Sequence, residues 1–253
     1  MKKGDTLVEV SLAIGIFSMV AIAAVSVING STTGAQSSLE ATITRQEIDG
    51  QAEALRFIQS AYAAGGEEND ETRKAKYEKL WDTIVNRAID LSKLSDTDRK
   101  KIFRYTPATC AELYNFSESA DWSTLKKQKA FLINTRGMSS NNINEILVPY
   151  SPNIFYEAST YPRIIYNGIT SDALYNSNIG SAFKITRAEG IYIIGVYDKD
   201  GTVIVNSNNG AVSKKPAYID FYIRSCWFTP SSDRPSTIST TIRLYDPTAA
   251  KVK

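Results

Sequence analysis

No histidine occurs anywhere in the 253 residues. That removes the commonest general base, the triads built on imidazole and most zinc constellations. Carboxylate pairs and Ser–Lys dyads remain as chemistry, but no spacing singles one out. The chain reads as a non-enzyme, with no cofactor or metal implied. Cysteine is nearly as scarce: Cys110 and Cys226 are the whole supply, and they are either bridged or two buried thiols. Charge of one sign is not in excess either. With 29 basic against 27 acidic side chains, no general electrostatic pull on nucleic acid is implied.

A more telling scarcity is local. Between Glu9 and Glu40 there is no charged residue at all. Leu7 to Ile28 (LVEVSLAIGIFSMVAIAAVSVI) holds one acid in an otherwise uncharged, mostly apolar run. About 22 residues of helix extend roughly 33 Å, which matches a bilayer core of about 30 Å. A membrane span is predicted here, longer than the apolar region of about 7 to 15 residues in an ordinary secretory signal. Lys2 and Lys3 place the N-terminus in the cytoplasm by the positive-inside rule, so the remainder is expected outside, where a disulfide can persist. A lone carboxylate at mid-bilayer costs about 2.5–3.5 kcal/mol, which makes Glu9 a functional candidate.

The residues Lys2-Lys3-Gly4-Asp5-Thr6-Leu7-Val8-Glu9-Val10 resemble the leader and helix start of type IV prepilins and the related type II secretion pseudopilins. The usual pattern there is K-G-F-T-L-[IV]-E followed by an apolar helix. The resemblance implies cleavage after Gly4 by the membrane prepilin peptidase, methylation of the new N-terminus at Asp5, and retention of Glu9 as the fifth mature residue. Asp5 stands where the family has phenylalanine. After cleavage the free amine lies about one helical turn from Glu9. In a stack of subunits, Glu9 of one can meet the amine of another, pairing two charges that are each costly in an apolar filament core. Sister pilins, the peptidase and a membrane assembly platform are the partners so implied. Members of the family often carry one disulfide, which favours a Cys110–Cys226 bridge. The size and the charged middle suggest a minor rather than a main subunit. A rival reading is a membrane-anchored surface binding module that never polymerises.

Downstream of the span, Asn29 to Gly34 (NGSTTG) is a soft spot, expected as a hinge or a juxtamembrane loop because each glycine weakens helix by about 1 kcal/mol. From Ala35 an apolar stripe runs through Leu39, Ile43, Ile48, Ala52, Leu55, Ile58 and Tyr62, stopped by Gly65-Gly66. A second stripe, Tyr77, Leu80-Trp81, Ile84-Val85, Ala88 and Leu91, predicts a helix from Glu71 to Leu94. Ser95 and Asp98 predict a further short helix over Asp96 to Arg104, whose cluster Arg99-Lys100-Lys101 reads as a solvated face. Thr106 to Ala182 is broken by prolines, with short apolar pieces at Ala130–Ile133, Ile143–Val148 and Arg163–Tyr166. Its tyrosines 150, 156, 161, 166 and 175 suit either packed loops or an adhesive surface.

Beyond Phe183 the period becomes that of strands. Phe183–Arg187 alternates, and Ile191–Tyr197 is predicted to turn at Asp198–Gly201 into Thr202–Val205 as a hairpin. Asp198-Lys-Asp-Gly also begins like a calcium loop, but no glutamate follows to close one. Tyr218–Phe228 places Ile219, Phe221, Ile223 and Trp227 on one face and Cys226 on the other, and Thr237–Tyr245 is a last strand. The expectation is an α+β, type IV pilin-like fold: leader 1–4, transmembrane helix 5–28, amphipathic continuation 29–64, charged helical insert 65–105, and a β-rich head 106–253. In it the long N-terminal helix packs on a C-terminal antiparallel sheet of four or five strands.

Overall fold

The computed structural model describes residues 5–64, 71–96, 99, 102, 110, 129–149, 155–156, 161–166, 184–198, 202–206, 212–229 and 234–247. They form two compact units, Met1–Thr42 and Ile43–Lys253. The leader, Gly65-Gly66 and tyrosines 150 and 175 lie outside the described residues, as does most of Asp96–Arg104.

The first unit is helix. Helix α1 runs unbroken over Asp5–Ala64, 60 residues, and so continues into the second unit. Neither loop nor break interrupts it at Asn29–Gly34, which corrects the reading of that stretch as a juxtamembrane loop. Thr32 and Thr33 turn their hydroxyls back on the carbonyls of Ile28 and Asn29, at 2.8 and 2.9 Å. Those hydroxyls are thus satisfied within the helix and do not draw the backbone into a turn. Two glycine penalties of about 1 kcal/mol are small against a helix propagated from both sides.

In the second unit, helix α2 spans Glu71–Arg87, seven residues short of the predicted end. The reason is Asp90. Its carboxylate accepts from the backbone N–H of Ser92 at 2.9 Å and from the Ser92 hydroxyl at 2.6 Å, capping a 3-10 turn over Leu91–Lys93. That local bond competes with helix continuation. The freed backbone forms β1 (Ile89–Asp90), which runs parallel to β7 (Ile191–Tyr197).

Among the described residues the main sheet has six strands. Its order is β11-β10-β7-β2-β3, with β1 also on β7, where β2 is Phe131–Ile133, β3 Leu147–Pro149, β10 Tyr218–Trp227 and β11 Ser236–Tyr245. Every pairing except β1–β7 is antiparallel. Ile143–Ile146, expected as part of a strand or turn, is one helical turn leading into β3. A smaller sheet orders β4 (Phe155–Tyr156), β6 (Ile185–Glu189) and β5 (Arg163–Tyr166) as β4-β6-β5.

Among the described residues β7 and β8 do not pair, so the hairpin predicted across Asp198–Gly201 is not found. Strand β8 (Thr202–Asn206) pairs instead with β9 (Val212–Pro216) in a separate two-stranded sheet, while β7 pairs with β10 from Ile191↔Ser225 to Val196↔Asp220. Six consecutive residues of β7 are buried. A strand apolar on both faces belongs in the middle of a sheet, and β10 and β2 flank it there.

The core lies between the helices and the main sheet. Ile48, Leu55 and Ile58 of α1, Leu80, Trp81 and Ile84 of α2, and Phe131, Ile193, Phe221 and Ile223 of the sheet are all fully buried. The Phe221 ring meets both Trp81 and Phe131 edge-on, at 6.4 and 6.5 Å. It also lies over Gly195, its direct partner across the β7–β10 pair. A Cβ at 195 would come within 3.0 Å of that ring and 3.1 Å of Ile219, so glycine is needed there for close approach.

Candidate functional site

Asp5 opens α1, and Gly4 lies outside the described residues. Glu9 follows one helical turn later, exposed on a helix whose every side chain from Leu7 to Gln36 is also exposed. Its neighbours Leu7, Val8, Val10 and Leu12 are each more than half accessible. This is the single helix among the described residues long and apolar enough to cross a membrane. So much uncovered apolar surface is not stable in water, and an N-terminal membrane anchor is consistent with it. Within that surface Glu9 is the one carboxylate, and its oxygens can accept hydrogen bonds or pair with a cation.

Nearer its C-terminal end the same helix is held by polar as well as apolar contacts. Gln51 is buried on the stripe of Ile48, Ala52 and Leu55. Its amide donates to the Ile133 carbonyl at 2.9 Å and accepts from the Ile133 N–H at 2.8 Å. The side chain thus imitates a neighbouring strand for β2. Gln59 donates to the Tyr245 carbonyl at 3.1 Å, tying the helix to the end of β11. Neither glutamine was singled out in the sequence, although an amide on a buried apolar stripe is a signal that it has a specific partner.

Cys110 and Cys226 are brought together. Their sulfurs lie 2.15 Å apart and their Cα atoms 5.5 Å apart, across 116 residues of chain. Both are fully buried. Cys226 sits on the face of β10 opposite Ile219, Phe221 and Ile223, as its alternation predicts. On that same face Arg224 donates to the carbonyl of Ile102, so Ile102 and Cys110 are each held against β10. Asn134, also buried, donates to the Glu145 carbonyl at 2.8 Å and accepts from Gly137 at 3.0 Å. It closes the loop between β2 and β3.

Several charged side chains of this unit form ion pairs. Arg163 and Arg187 each reach the buried Glu189 at 2.8 Å, and Arg243 forks onto Asp220 at 2.7 and 2.8 Å. The Asp220 carboxylate raises the Arg243 pKa above its ordinary value. Glu47 of α1 differs: partial burial raises its pKa, and the nearby Arg136 guanidinium only partly opposes that. Tyr166, whose ring lies 4.3 Å from the Arg136 guanidinium carbon, is pushed up as well, chiefly by burial. Of the tyrosines proposed for an adhesive surface, 161 and 166 lie beside and within β5. Tyr156 lies in β4. Among the described residues no three His, Cys, Asp or Glu side chains converge as a metal site would require. Compared with known proteins, the chain matches no family model, no curated protein and no solved structure.

Proposed function

We propose that the chain is a pilin-like structural subunit, anchored in the cytoplasmic membrane, trimmed after Gly4 and assembled through its N-terminal helix into a type IV pilus or related pseudopilus. The observation that carries this reading is the continuity of α1. One helix of 60 residues is exposed and apolar from Leu7 to Ile28, bears Glu9 as the sole acid between Leu7 and Leu39, and from Ile48 to Ile58 buries its stripe in an α+β core. A simple anchor has no use for a carboxylate within its apolar run. A subunit that packs its helix against copies of itself does, because the carboxylate fixes register by pairing with a neighbour's new amine.

The N-terminus faces the cytoplasm and the second unit the outside, with the Cys110–Cys226 bridge on the oxidising side. Sister subunits, the peptidase and the assembly platform are the partners. The reading is tested by the intact mass and N-terminal peptide of the protein recovered from its native envelope. A chain beginning at Asp5, with or without one methyl group, is the expected result. A chain beginning at Met1 would leave a signal-anchored binding module in its place.

A further inference from the structure

Beside the C-terminal end of α2 the second unit has a cleft of about 460 Å³. Its apolar floor is made by Val85, Ala88 and Ile89, and three lysines from separate elements border it. Lys93 comes from the 3-10 turn, Lys129 from just before β2, and Lys215 from β9. Two carboxylates are also present, and each has defined work. Asp82 pairs with Lys215 at 2.9 Å. Asp90 caps the 3-10 turn through one oxygen and lies 3.8 Å from Lys93 through the other. Lys129 has no carboxylate partner among the described residues; its ammonium donates to the neutral carbonyl of Asn86 at 2.6 Å.

We propose that this cleft binds a phosphate monoester, with Lys129 and Lys93 holding the phosphate and the apolar floor receiving the organic group attached to it. The ammonium of Lys129 has three donors and only one is used, so two remain for phosphate oxygens. Lys93 is largely exposed, and its contact with Asp90 is long enough to be exchanged for a dianion. An ammonium is a compact point charge, suited to a tetrahedral oxyanion approached from several sides. The volume falls in the usual range of small-ligand sites and is far larger than phosphate alone needs. Partial burial chiefly depresses the Lys129 pKa, with Arg87 and Lys93 adding to it, and a bound dianion would offset the repulsion from those two cations.

The proposal does not rest on the filament reading, because the cleft belongs wholly to the Ile43–Lys253 unit. Its test is calorimetric titration of the full chain in nonionic micelles with inorganic phosphate and with glycerol 3-phosphate, at low and moderate sodium chloride. Saturable binding that weakens with salt is expected, and K93M and K129M should each weaken it about tenfold, the worth of one charge-assisted hydrogen bond. Tighter binding of glycerol 3-phosphate than of inorganic phosphate is expected, and equal binding would overturn the monoester assignment in favour of the free ion. Lys129 also ties the end of α2, so K129M can affect folding; the exposed Lys93 makes K93M decisive on its own. No saturable binding of either probe, or binding unaltered by K93M, would overturn the proposal.

Discussion

The side-chain amide of Gln51 forms both hydrogen bonds that a neighbouring strand would offer to Ile133, donating to its carbonyl and accepting from its N–H. One helix side chain thereby satisfies two buried backbone groups of β2. Replacing Gln51 by alanine removes two hydrogen bonds and leaves both groups without a partner in a site closed to water. Orphaned buried groups cost about 1–3 kcal/mol each, so Gln51→Ala should lower unfolding stability by about 2–4 kcal/mol. Denaturant unfolding followed by tryptophan fluorescence measures this. A loss below about 1 kcal/mol would mean that water enters and takes the place of the amide.

The disulfide offers a second measure of how this unit is held. A bridge across 116 residues restricts the unfolded chain strongly, and in the chain-entropy model such loops contribute about 4–5 kcal/mol. Native bridges are typically worth about 2–5 kcal/mol when removed. The double variant Cys110→Ser, Cys226→Ser should therefore unfold at distinctly lower denaturant, and reductant should shift the native protein in the same direction but not the variant. If the variant keeps its midpoint, the Arg224–Ile102 contact and the surrounding packing suffice without the bridge.

Much of this architecture was legible from periodicity alone. The stripe from Ile48 to Ile58, the alternation in β10 and the β-branched run of β11 each follow one period and are buried accordingly. The α+β class followed from them. Where the reading departs, a pairing choice or a local bond decided the outcome. Asp198–Gly201 looks like a hairpin turn, but β7 is apolar on both faces and takes β10 and β2 as neighbours, so β8 turns to β9. The Tyr77–Leu91 stripe extends past the end of α2 because Asp90 and Ser92 form a cap that no hydrophobic period reveals. Asn29–Gly34 has a loop's composition, yet its threonine hydroxyls bond within the helix. At the candidate site Glu9 stood out as a charge in an apolar run. The cleft lysines did not, because Lys93, Lys129 and Lys215 are far apart in the chain and only the fold assembles them.

Glu47 supplies a pH test. Burial raises its pKa in the folded protein, the dominant cause, with Arg136 opposing. The folded state then holds the proton more tightly than the unfolded one, so stability is greatest below the ordinary carboxyl pKa. It falls as pH rises from that value through the raised one, and stays at the lower level above. Glu47→Gln removes the titrating group, so the variant should be the more stable at neutral pH and equal to the native protein in acid. The effect should be modest, because the side chain is only partly buried. Unfolding midpoints of both proteins across acidic to neutral pH would check it. A variant that is less stable at neutral pH would show that attraction to Arg136 outweighs desolvation.

Glu9 separates the filament reading from its rival. Glu9→Ala removes an acid from the apolar span, and the span should insert at least as well, since a carboxylate within an apolar span carries a cost, smaller near the span's end, where Glu9 lies, than the about 2.5–3.5 kcal/mol at its centre. Cleavage after Gly4 should persist, because the residues around the cut are untouched. What the variant lacks is the partner for a neighbouring subunit's amine. With that charge left uncompensated in an apolar core, assembly should fall by two orders of magnitude or more, a loss of about 3 kcal/mol or above for breaking a buried pair. Fractionating sheared surface filaments from membranes, and quantifying the chain in each, gives the measurement. Retention of processed Glu9→Ala protein in the membrane with none in filaments is the expected result. Undiminished surface display and binding by the variant would instead favour an anchored module that never polymerises, in which Glu9 has no part.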